Sequence, residues 1–264
     1  MPHHSSLRYF SGLLVLATTS AAFAFQPLIT DDTGTQGKGG HQVEFSYNED
    51  RQSQGGDTTK THTLPLVYTY GLGDALDVYV AVNHTRISPP APGIWVSGSG
   101  NPALGVKWRF YENEESKTSL AFKPELRLPI DADKETAGLG HGRTSFGAML
   151  ILTQEVSFGA VHANLATSRN RFRDQANNPD ATTLRASIAP VWDVNEQWKL
   201  VLDLGSETET AAGLRIRSTF GEIGAIYSPN KDLDLALGLI RRSDNTSPSA
   251  TTTSLTLGIT WRFK

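Results

Sequence analysis

Apolar and less apolar residues alternate along most of this chain from residue 41 onward. In residues 75–85, for example, Leu76, Val78 and Val80 are each separated by one residue, and residues 252–263 repeat the pattern. Because successive side chains of a strand point to opposite faces of a sheet, this period of two predicts strands with one apolar and one polar surface. No segment shows the 3.6-residue period of a long helix. The chain is therefore predicted to be all-β.

The alternation defines twelve predicted strands, several of them close to the ~9–11 residues with which a tilted strand crosses a bilayer. After the first 24 residues no apolar run approaches the roughly 18 residues of a membrane-spanning helix, which excludes a helical transporter. The mean hydropathy of −0.30 does not exclude a membrane β-barrel, since the strands of such a barrel are only half apolar. The predicted strands are residues 41–49, 62–71, 75–85, 102–111, 118–128, 143–153, 156–167, 182–193, 197–205, 214–228, 232–242 and 252–263.

The connections between these strands alternate in length. Those after even-numbered strands are short, for example residues 72–74 and 229–231, whereas those after odd-numbered strands are mostly long and polar, for example residues 50–61, 86–101 and 129–142. Outer-membrane barrels have this arrangement, with short periplasmic turns and long extracellular loops. A soluble sandwich or lipocalin-like barrel has no reason to keep it through twelve strands. The sequence thus predicts a transmembrane antiparallel β-barrel, closed by pairing of the first strand with the twelfth.

Aromatic residues gather at the short-turn ends of the predicted strands. Amphipathic rings in this position lie at the headgroup level of a bilayer and form a girdle. Ordinary core aromatics would instead be scattered along the strands. The predicted girdle consists of Trp108, Trp192, Trp198, Trp261, Tyr70, Phe110, Tyr227 and Phe263.

The first 24 residues are predicted to be a signal peptide that is removed from the mature protein. Arg8 precedes an apolar stretch that begins at Leu13 and ends in Ala22-Phe23-Ala24, which has the small-x-small form of a signal-peptidase site. An amphipathic or buried first helix is the alternative. Export and the absence of cysteine agree with a protein of the Gram-negative envelope.

Residues 25–40 form a leader, rich in Gly, Thr and Asp, that precedes the barrel at residues 41–264. It has too little apolar content for a strand, so it either enters the lumen as a plug or extends into the periplasm as a tether. We favour the plug, because Asp31, Asp32 and Lys38 have partners of opposite charge in the predicted lumen.

The positions of the lumenal charges follow from the same alternation, since the larger apolar set must face the lipid. The inward set has ten basic and six acidic members, an excess of +4. It predicts either a ladder of ion pairs that fills a narrow interior or a basic constriction that favours anionic solutes. A phase change between Phe220 and Ile223 predicts a bulge at Gly221. The proposed solute path comprises Lys107, Arg109, Lys123, Glu125, Arg127, Arg143, Arg185, Lys199, Asp203, Arg215 and Arg217, and the other inward charges are Glu44, Asp77, Glu222, Asp234 and Arg262.

No catalytic pattern is complete in this sequence. Residues 96–100 lack the first glycine of a nucleophile elbow, and His141 and Ser145 have no matched orienting residue. The histidines His62, His84 and His162 occur singly, so their spacing does not support a metal site. The formal charge of −3 gives no reason to expect a nucleic-acid partner. We therefore expect no enzyme activity, no metal and no other cofactor.

The leader and two later segments resemble a known family. The later segments are Gly71-Leu72-Gly73-Asp74 and the pattern Gly105-x-Lys107-x-Arg109-Phe110. The family is a transporter family named after the MetA pathway of phenol degradation, and the resemblance implies an outer-membrane barrel associated with uptake of aromatic or other hydrophobic compounds, without catalytic residues. The leader motif that carries the resemblance is Thr30, Asp31, Asp32, Thr33, Gly34, Thr35, Gln36, Gly37, Lys38 and Gly39.

Two functions remain open from the sequence. One is a channel for passive passage of small solutes, aromatic or anionic in character. The other is a closed structural or adhesive barrel without transport activity. Both predict a bacterial outer-membrane location, with outer-membrane lipid as a partner. Both also predict contact with the barrel-assembly machinery, which recognises a C-terminal aromatic strand such as the one ending at Phe263. The channel adds a small-molecule solute.

Overall fold

The computed structural model describes residues 26–88 and 93–264, and the predicted signal peptide lies outside the described residues. The helix α1 (Ala132–Thr136) has five residues, and no helix in these two ranges is long and apolar enough to span a membrane. The strands are β1 (His41–Gln54), β2 (Asp57–Gly73), β3 (Leu76–Ser88), β4 (Val96–Ser99), β5 (Ala103–Asn113), β6 (Thr118–Arg127), β7 (Ser145–Val156), β8 (Gly159–Asn170), β9 (Ala181–Asp193), β10 (Trp198–Ala211), β11 (Leu214–Asn230), β12 (Leu233–Asp244) and β13 (Thr251–Phe263).

Twelve of these strands close into one antiparallel barrel. The ring closes where β1 pairs with β13, in a continuous register from His41 opposite Phe263 to Ser53 opposite Thr251. Strand β4 is the exception, because it pairs only with the last part of β3, while β3 continues the barrel by pairing with β5. The predicted twelve-stranded barrel, closed by its first and last strands, is confirmed.

The connections follow the predicted alternation, with one correction. Short turns join β2 to β3, β5 to β6, β7 to β8, β9 to β10 and β11 to β12, and we call this side the short-turn end and the other the loop end. The predicted long loop at residues 50–61 is instead a hairpin, in which β1 and β2 continue to Gly55-Gly56. Both glycines have positive φ, as a two-residue hairpin turn requires. Strand β4 and helix α1 lie in the segments predicted as loops at residues 86–101 and 129–142.

The outer surface of the barrel is apolar at mid-height. Leu200, Leu204, Leu237 and Leu257 are each 46–50% exposed there, whereas the residues next to them along the strands face inward. A continuous surface of exposed leucines is favourable in contact with lipid and unfavourable in contact with water. The predicted aromatic girdle lies on the same outer face at the short-turn end, where the ring centroids of Trp198 and Tyr227 are 4.8 Å apart and those of Trp261 and Phe263 are 4.6 Å apart.

Strand β11 keeps a regular alternation throughout its pairing with β10, so the predicted bulge at Gly221 does not exist. Phe220 and Glu222 are both buried on the inner face. The Phe220 ring occupies the space over Gly205, where a Cβ would lie 2.4 Å from the ring. The sequence suggested a phase change because a large aromatic residue is expected outside, whereas here a glycine on the next strand accommodates it inside.

The regular register also corrects two of the predicted lumen residues. Arg215 and Arg217 lie on the outer face of the barrel, opposite Thr210 and Thr208 of β10. Both arginines are exposed and lie near the loop end, beyond the apolar belt. They are therefore not part of the inner wall.

The apolar belt predicts a cost for charge on the outer face. Leu237→Arg places a guanidinium near the middle of β12 on the lipid side and should lower the free energy of unfolding in lipid vesicles by roughly 2–4 kcal/mol. The matched control is Leu214→Arg, since Leu214 is 70% exposed at the hairpin between β10 and β11 and should tolerate the same change. Equal stability of the two variants in reversible urea unfolding would contradict the lipid-facing assignment of Leu237.

Candidate functional site in the barrel lumen

The leader, residues 26–40, lies inside the barrel along the inner wall. Its first residues, Gln26 and Pro27, lie directly against glycines of β11, β12 and β13. The chain then passes β10 to β5, and it reaches β3 and β2 just before β1 begins. In this structure residues 26–40 therefore contact inward-facing residues from β13 round to β2.

Asp203 of β10 anchors the middle of the leader. Its carboxylate accepts hydrogen bonds from the backbone N–H groups of Ile29 (2.9 Å) and Thr30 (2.7 Å) and from the Thr30 hydroxyl (2.7 Å). Both Asp203 and Thr30 are fully buried. Because strand backbone groups are already paired within the barrel, the backbone of Ile29 and Thr30 finds its partner in an inner-wall side chain.

Asp31 is the electrostatic centre of the leader. Its carboxylate accepts hydrogen bonds from the ammonium groups of Lys123 (2.7 Å) and Lys107 (3.0 Å). Asn164 of β8 fixes the backbone of the same residue, accepting from the Asp31 N–H (2.6 Å) and donating to its carbonyl (2.9 Å). Two predicted lumen lysines thus hold the leader, and a buried carboxylate is matched by two cations.

The last part of the leader, which precedes β1, is held by hydroxyl, carboxylate and backbone contacts. The Thr33 hydroxyl lies 2.5 Å from that of Ser119 on β6, and the Gln36 N–H donates to the carboxylate of Asp77 on β3. At Gly71 of β2 the two backbones approach so closely that a Cβ would lie 1.8 Å from the Gly37 carbonyl oxygen. The glycine of this motif is therefore required by the contact with the leader.

An apolar patch on the inner wall receives the start of the leader. Leu28 is 4% exposed and packs in one cluster with inward-facing residues of β9 to β12. Further inward apolar clusters lie on β2 to β5 and on β6 and β7. The inner wall is thus not uniformly polar, and the leader covers one of its apolar areas. The wall residues around Leu28 are Ala189, Val191, Val201, Ile226 and Ala236.

On the loop side of the leader, ion pairs occupy the interior. Glu125 accepts hydrogen bonds from Arg127 (2.7 Å) and from the Tyr79 hydroxyl (2.9 Å), and Arg185 lies 3.9 Å from Glu207. The cavity among these side chains is about 40 Å³, close to the ~30 Å³ that one water molecule occupies. On the short-turn side a vestibule of about 640 Å³ is open. The leader therefore lies between an open vestibule and a region of the interior that ion pairs occupy.

The remaining predicted path residues lie at the two ends of the barrel. Arg109 contacts the carbonyl oxygen of Asp74 (3.0 Å) at the short-turn end, where Lys199 pairs with Asp193 (2.5 Å). Arg143 lies at the loop end, 3.8 Å from Asp180. Arg109 shares the Asp74 carbonyl oxygen with the Thr35 hydroxyl of the leader, whereas Lys199 and Arg143 pair with Asp193 and Asp180 away from Asp31.

The predicted inward set lacks a pair of charges that lie close together on the inner wall, Glu207 and Arg242. Their carboxylate and guanidinium groups lie 3.7 Å apart, and Arg242 also stacks on the Phe220 ring. Glu207 was overlooked because the predicted strand ended at residue 205, although alternation continued to Ala211. Removing Arg215 and Arg217 from the predicted inward set and adding Glu207, Glu209, Asp50 and Arg242 changes its ten basic and six acidic members to nine of each, so the predicted excess of +4 is lost. Asp193, which lies opposite Lys199, adds a further acidic side chain.

Loops at the loop end are tied together around His141. Asn101 donates to the carbonyl oxygens of Leu128 and His141 and accepts from the His141 N–H, each at 2.7 Å. The imidazole is 4% exposed and meets the Phe172 ring edge-on. Burial, with a smaller contribution from the nearby Arg127, lowers the pKa of His141 to about 4.

The family model described as "Putative MetA-pathway of phenol degradation" matches residues 6–263. The comparison with curated proteins finds no match. Among solved structures, an outer membrane channel from Pseudomonas putida F1 has a TM-score of 0.73 and 15% identity, covering 88% of this chain and 98% of that one. The beta domain of the Bordetella autotransporter BrkA has a TM-score of 0.55 and 15% identity, covering 86% and 100%. The NanC porin has a TM-score of 0.53 and 8% identity, covering 82% and 98%.

These solved structures share the barrel fold with this chain. A closed barrel leaves no unpaired strand edge in lipid, and its apolar outer belt is suited to a bilayer. The chain is thus a bacterial outer-membrane β-barrel.

The anchoring role of Asp203 can be tested by cysteine labelling, because the chain contains no cysteine of its own. Ile29→Cys should react slowly with a water-soluble maleimide, since Ile29 is 7% exposed. Adding Asp203→Asn removes a charged acceptor of three hydrogen bonds and should speed labelling about tenfold. Asp193→Asn, at a turn away from the leader, is the matched control. Equal labelling rates with Asp203→Asn and Asp193→Asn would contradict the anchor.

The buried His141 predicts a pH dependence of stability. Its pKa of about 4 lies below the usual 6.5, so the unfolded chain binds the proton more tightly than the folded one. Stability should therefore fall as pH drops from about 6.5 to about 4, by about 1.4 kcal/mol per unit of pKa shift. His141→Phe should flatten the pH profile of thermal unfolding in this range. An unchanged slope would mean that His141 does not titrate as its burial predicts.

Proposed function

Since the chain belongs to the family described as "Putative MetA-pathway of phenol degradation", we propose that it is an outer-membrane channel for passive passage of small apolar, aromatic solutes, gated by its own leader. The short-turn end faces the periplasm and the loop end faces outward, as in other outer-membrane barrels. The observation that carries the proposal is the apolar inner wall that Leu28 covers.

An apolar lumen surface is costly in a channel for ions but useful for an apolar solute. When the leader moves, the patch around Leu28 is uncovered, and a flat aromatic solute can replace the leucine against Val191, Val201 and Ile226. The ion pair of Arg185 with Glu207 lies on β9 and β10, the strands that carry Val191 and Val201, and supplies polar edges that a phenolic hydroxyl can contact. The site therefore suits molecules that are largely apolar with one polar group.

The charge balance of the inner wall argues against a strong preference for ions of one sign. The positive excess expected from the sequence disappears once Arg215 and Arg217 are placed outside and Glu207, Glu209, Asp50 and Arg242 are placed inside. Lys107 and Lys123 are engaged by Asp31 while the leader is in place. We therefore propose selection by apolar character, with only a weak anion preference when the leader is displaced.

The leader is suited to gating because polar contacts hold most of it. Hydrogen bonds to Asp203, Asn164 and Asp77 can be exchanged for water at modest net cost, since each contributes about 0.5–1.5 kcal/mol and up to ~3 to a charged group. Assembly into the membrane is proposed to use the barrel-assembly machinery, which would bind the C-terminal strand with Trp261 and Phe263.

Deletion of residues 26–39 tests the gate. The deleted chain should show a several-fold higher single-channel conductance in planar bilayers than the full chain. In the full chain, Lys107→Gln with Lys123→Gln should also raise the open probability, because Asp31 loses both cations. Lys117→Gln with Lys134→Gln, on a turn and a loop outside the lumen, is the matched control. Unchanged conductance after the deletion would contradict gating, and a folded deleted barrel without conductance would favour the closed structural barrel.

Solute preference is a separate test of the apolar wall. In the leader-deleted chain, Val191→Thr with Val201→Thr keeps the side-chain shape but adds hydroxyl groups to the patch. The ratio of liposome flux for phenol over glycerol should fall several-fold. Val78→Thr with Val80→Thr makes the same change on the outer face and should leave the ratio unchanged. Equal ratios in both variants would contradict passage along the patch.

A further inference from the structure

Charged side chains on the outer face of the barrel are unevenly distributed in both position and sign. On the outward side of the described strand residues, charges occur only towards the loop end, beyond the apolar belt, and the sole acidic one is Glu49. Outward-facing residues at the short-turn end are mostly aromatic and aliphatic instead. The basic members of the set are Arg51, Lys60, Arg86, Arg169, Arg215, Arg217 and Arg241.

Part of this set forms a continuous row across four strands. Lys60 of β2 lies directly opposite Arg51 of β1, which lies opposite Thr253 of β13, which in turn lies opposite Arg241 of β12. We call Lys60, Arg51 and Arg241 the basic row. With strands about 4.8 Å apart, three cations lie within roughly 15 Å of one another. Like charges directly opposite each other destabilise a sheet, so Lys60 beside Arg51 has a cost unless an anion lies between them.

The basic row lies directly above the apolar belt. Arg241 follows the lipid-facing Leu239 by two residues on β12, and Leu257 and Leu255 lead up to Thr253 on β13. Arg241 donates a hydrogen bond to the Thr253 hydroxyl (2.7 Å), which holds its guanidinium across the strands. Nearby, Arg86 stacks over the Trp95 ring at 4.2 Å, a position typical of the membrane interface.

We propose that the basic row binds the phosphate groups of lipids in the outer leaflet. A guanidinium matches phosphate geometry with paired hydrogen bonds, and Lys adds a point charge. Anionic headgroups attract basic residues close to the membrane surface. The acyl chains of the same lipid can contact Leu239 and Leu257. Its phosphate group can then contact Arg51, Lys60 and Arg241.

The lipid, and not a free anion, is favoured by this continuity with the apolar belt. A soluble phosphate would gain only the charge contacts, whereas a lipid gains those together with apolar contact below them. The Arg51 guanidinium also lies 2.8 Å from the Glu49 carboxylate, which neutralises part of the positive charge of the basic row. A ligand that adds apolar contact to its charge contacts is therefore favoured over a free anion.

The test uses the full-length mature barrel in detergent and native mass spectrometry. The probes are a disaccharide lipid carrying two phosphate groups, the same lipid without its phosphates, and inorganic phosphate as competitor. The parent should bind the phosphorylated lipid at least about tenfold more tightly than the dephosphorylated one. The triple variant Arg51→Gln, Lys60→Gln, Arg241→Gln should lose that preference. Its folding is checked by heat-modifiable migration in gels.

The matched control removes three positive charges elsewhere, by Lys117→Gln, Lys134→Gln and Lys231→Gln. It should keep the parent's preference for the phosphorylated lipid. Equal binding of both lipids by the parent would overturn the proposal, as would a preference in the triple variant equal to that of the control. Competition by inorganic phosphate at the concentration of the lipid would also overturn it, because the row would then be a site for free anions. If the triple variant fails to fold, Lys60→Gln alone should weaken the preference, and an unchanged preference would contradict the proposal.

Discussion

The whole structure depends on the need to satisfy backbone hydrogen bonds in lipid. A strand inside a bilayer finds no water, so every N–H and C=O must pair with a neighbouring strand, and only a closed ring leaves no edge. The pairing of β1 with β13 provides this closure, with an unbroken register from His41 to Ser53 of β1. This closure explains the alternation in the sequence, because one face of each strand contacts lipid and the other face contacts the lumen.

The closed ring also explains how the leader is held. Because the strands use most of their backbone groups for pairing with one another, a peptide inside the barrel is bound mainly by polar inward side chains, and it meets a strand backbone at Gly71 of β2 just before β1 begins. Asp203, Asn164 and Asp77 accept from leader N–H groups, while Lys107 and Lys123 neutralise Asp31. The inner wall is thus complementary to residues 26–40. Conversely, the apolar cluster around Leu28 is the area that polar contacts do not reach, and it gives the proposed channel its solute preference.

Charge is divided between the two faces according to its surroundings. Several inward charges are paired with charges of opposite sign, such as Arg127 with Glu125 and Lys123 with Asp31, because an unpaired ion is expensive where solvent is scarce. Outward charges are nearly all basic and lie beyond the apolar belt, where anionic headgroups provide the counter-charge. Arg215 and Arg217 lie on the outer face, and a shift of one residue in the register of β11 would place them in the lumen instead.

The sequence by itself determined the barrel, its twelve strands, the short turns and the outward girdle, because alternation and turn residues act locally. It also identified Asp31, Lys107 and Lys123 as groups of opposite charge that could meet. Only the tertiary structure decided which face Phe220 occupies, because the space over Gly205 belongs to another strand. It alone decided that the leader follows the inner wall and that Leu28 meets Val191 and Ile226, since these contacts join residues more than 150 positions apart that no local pattern connects.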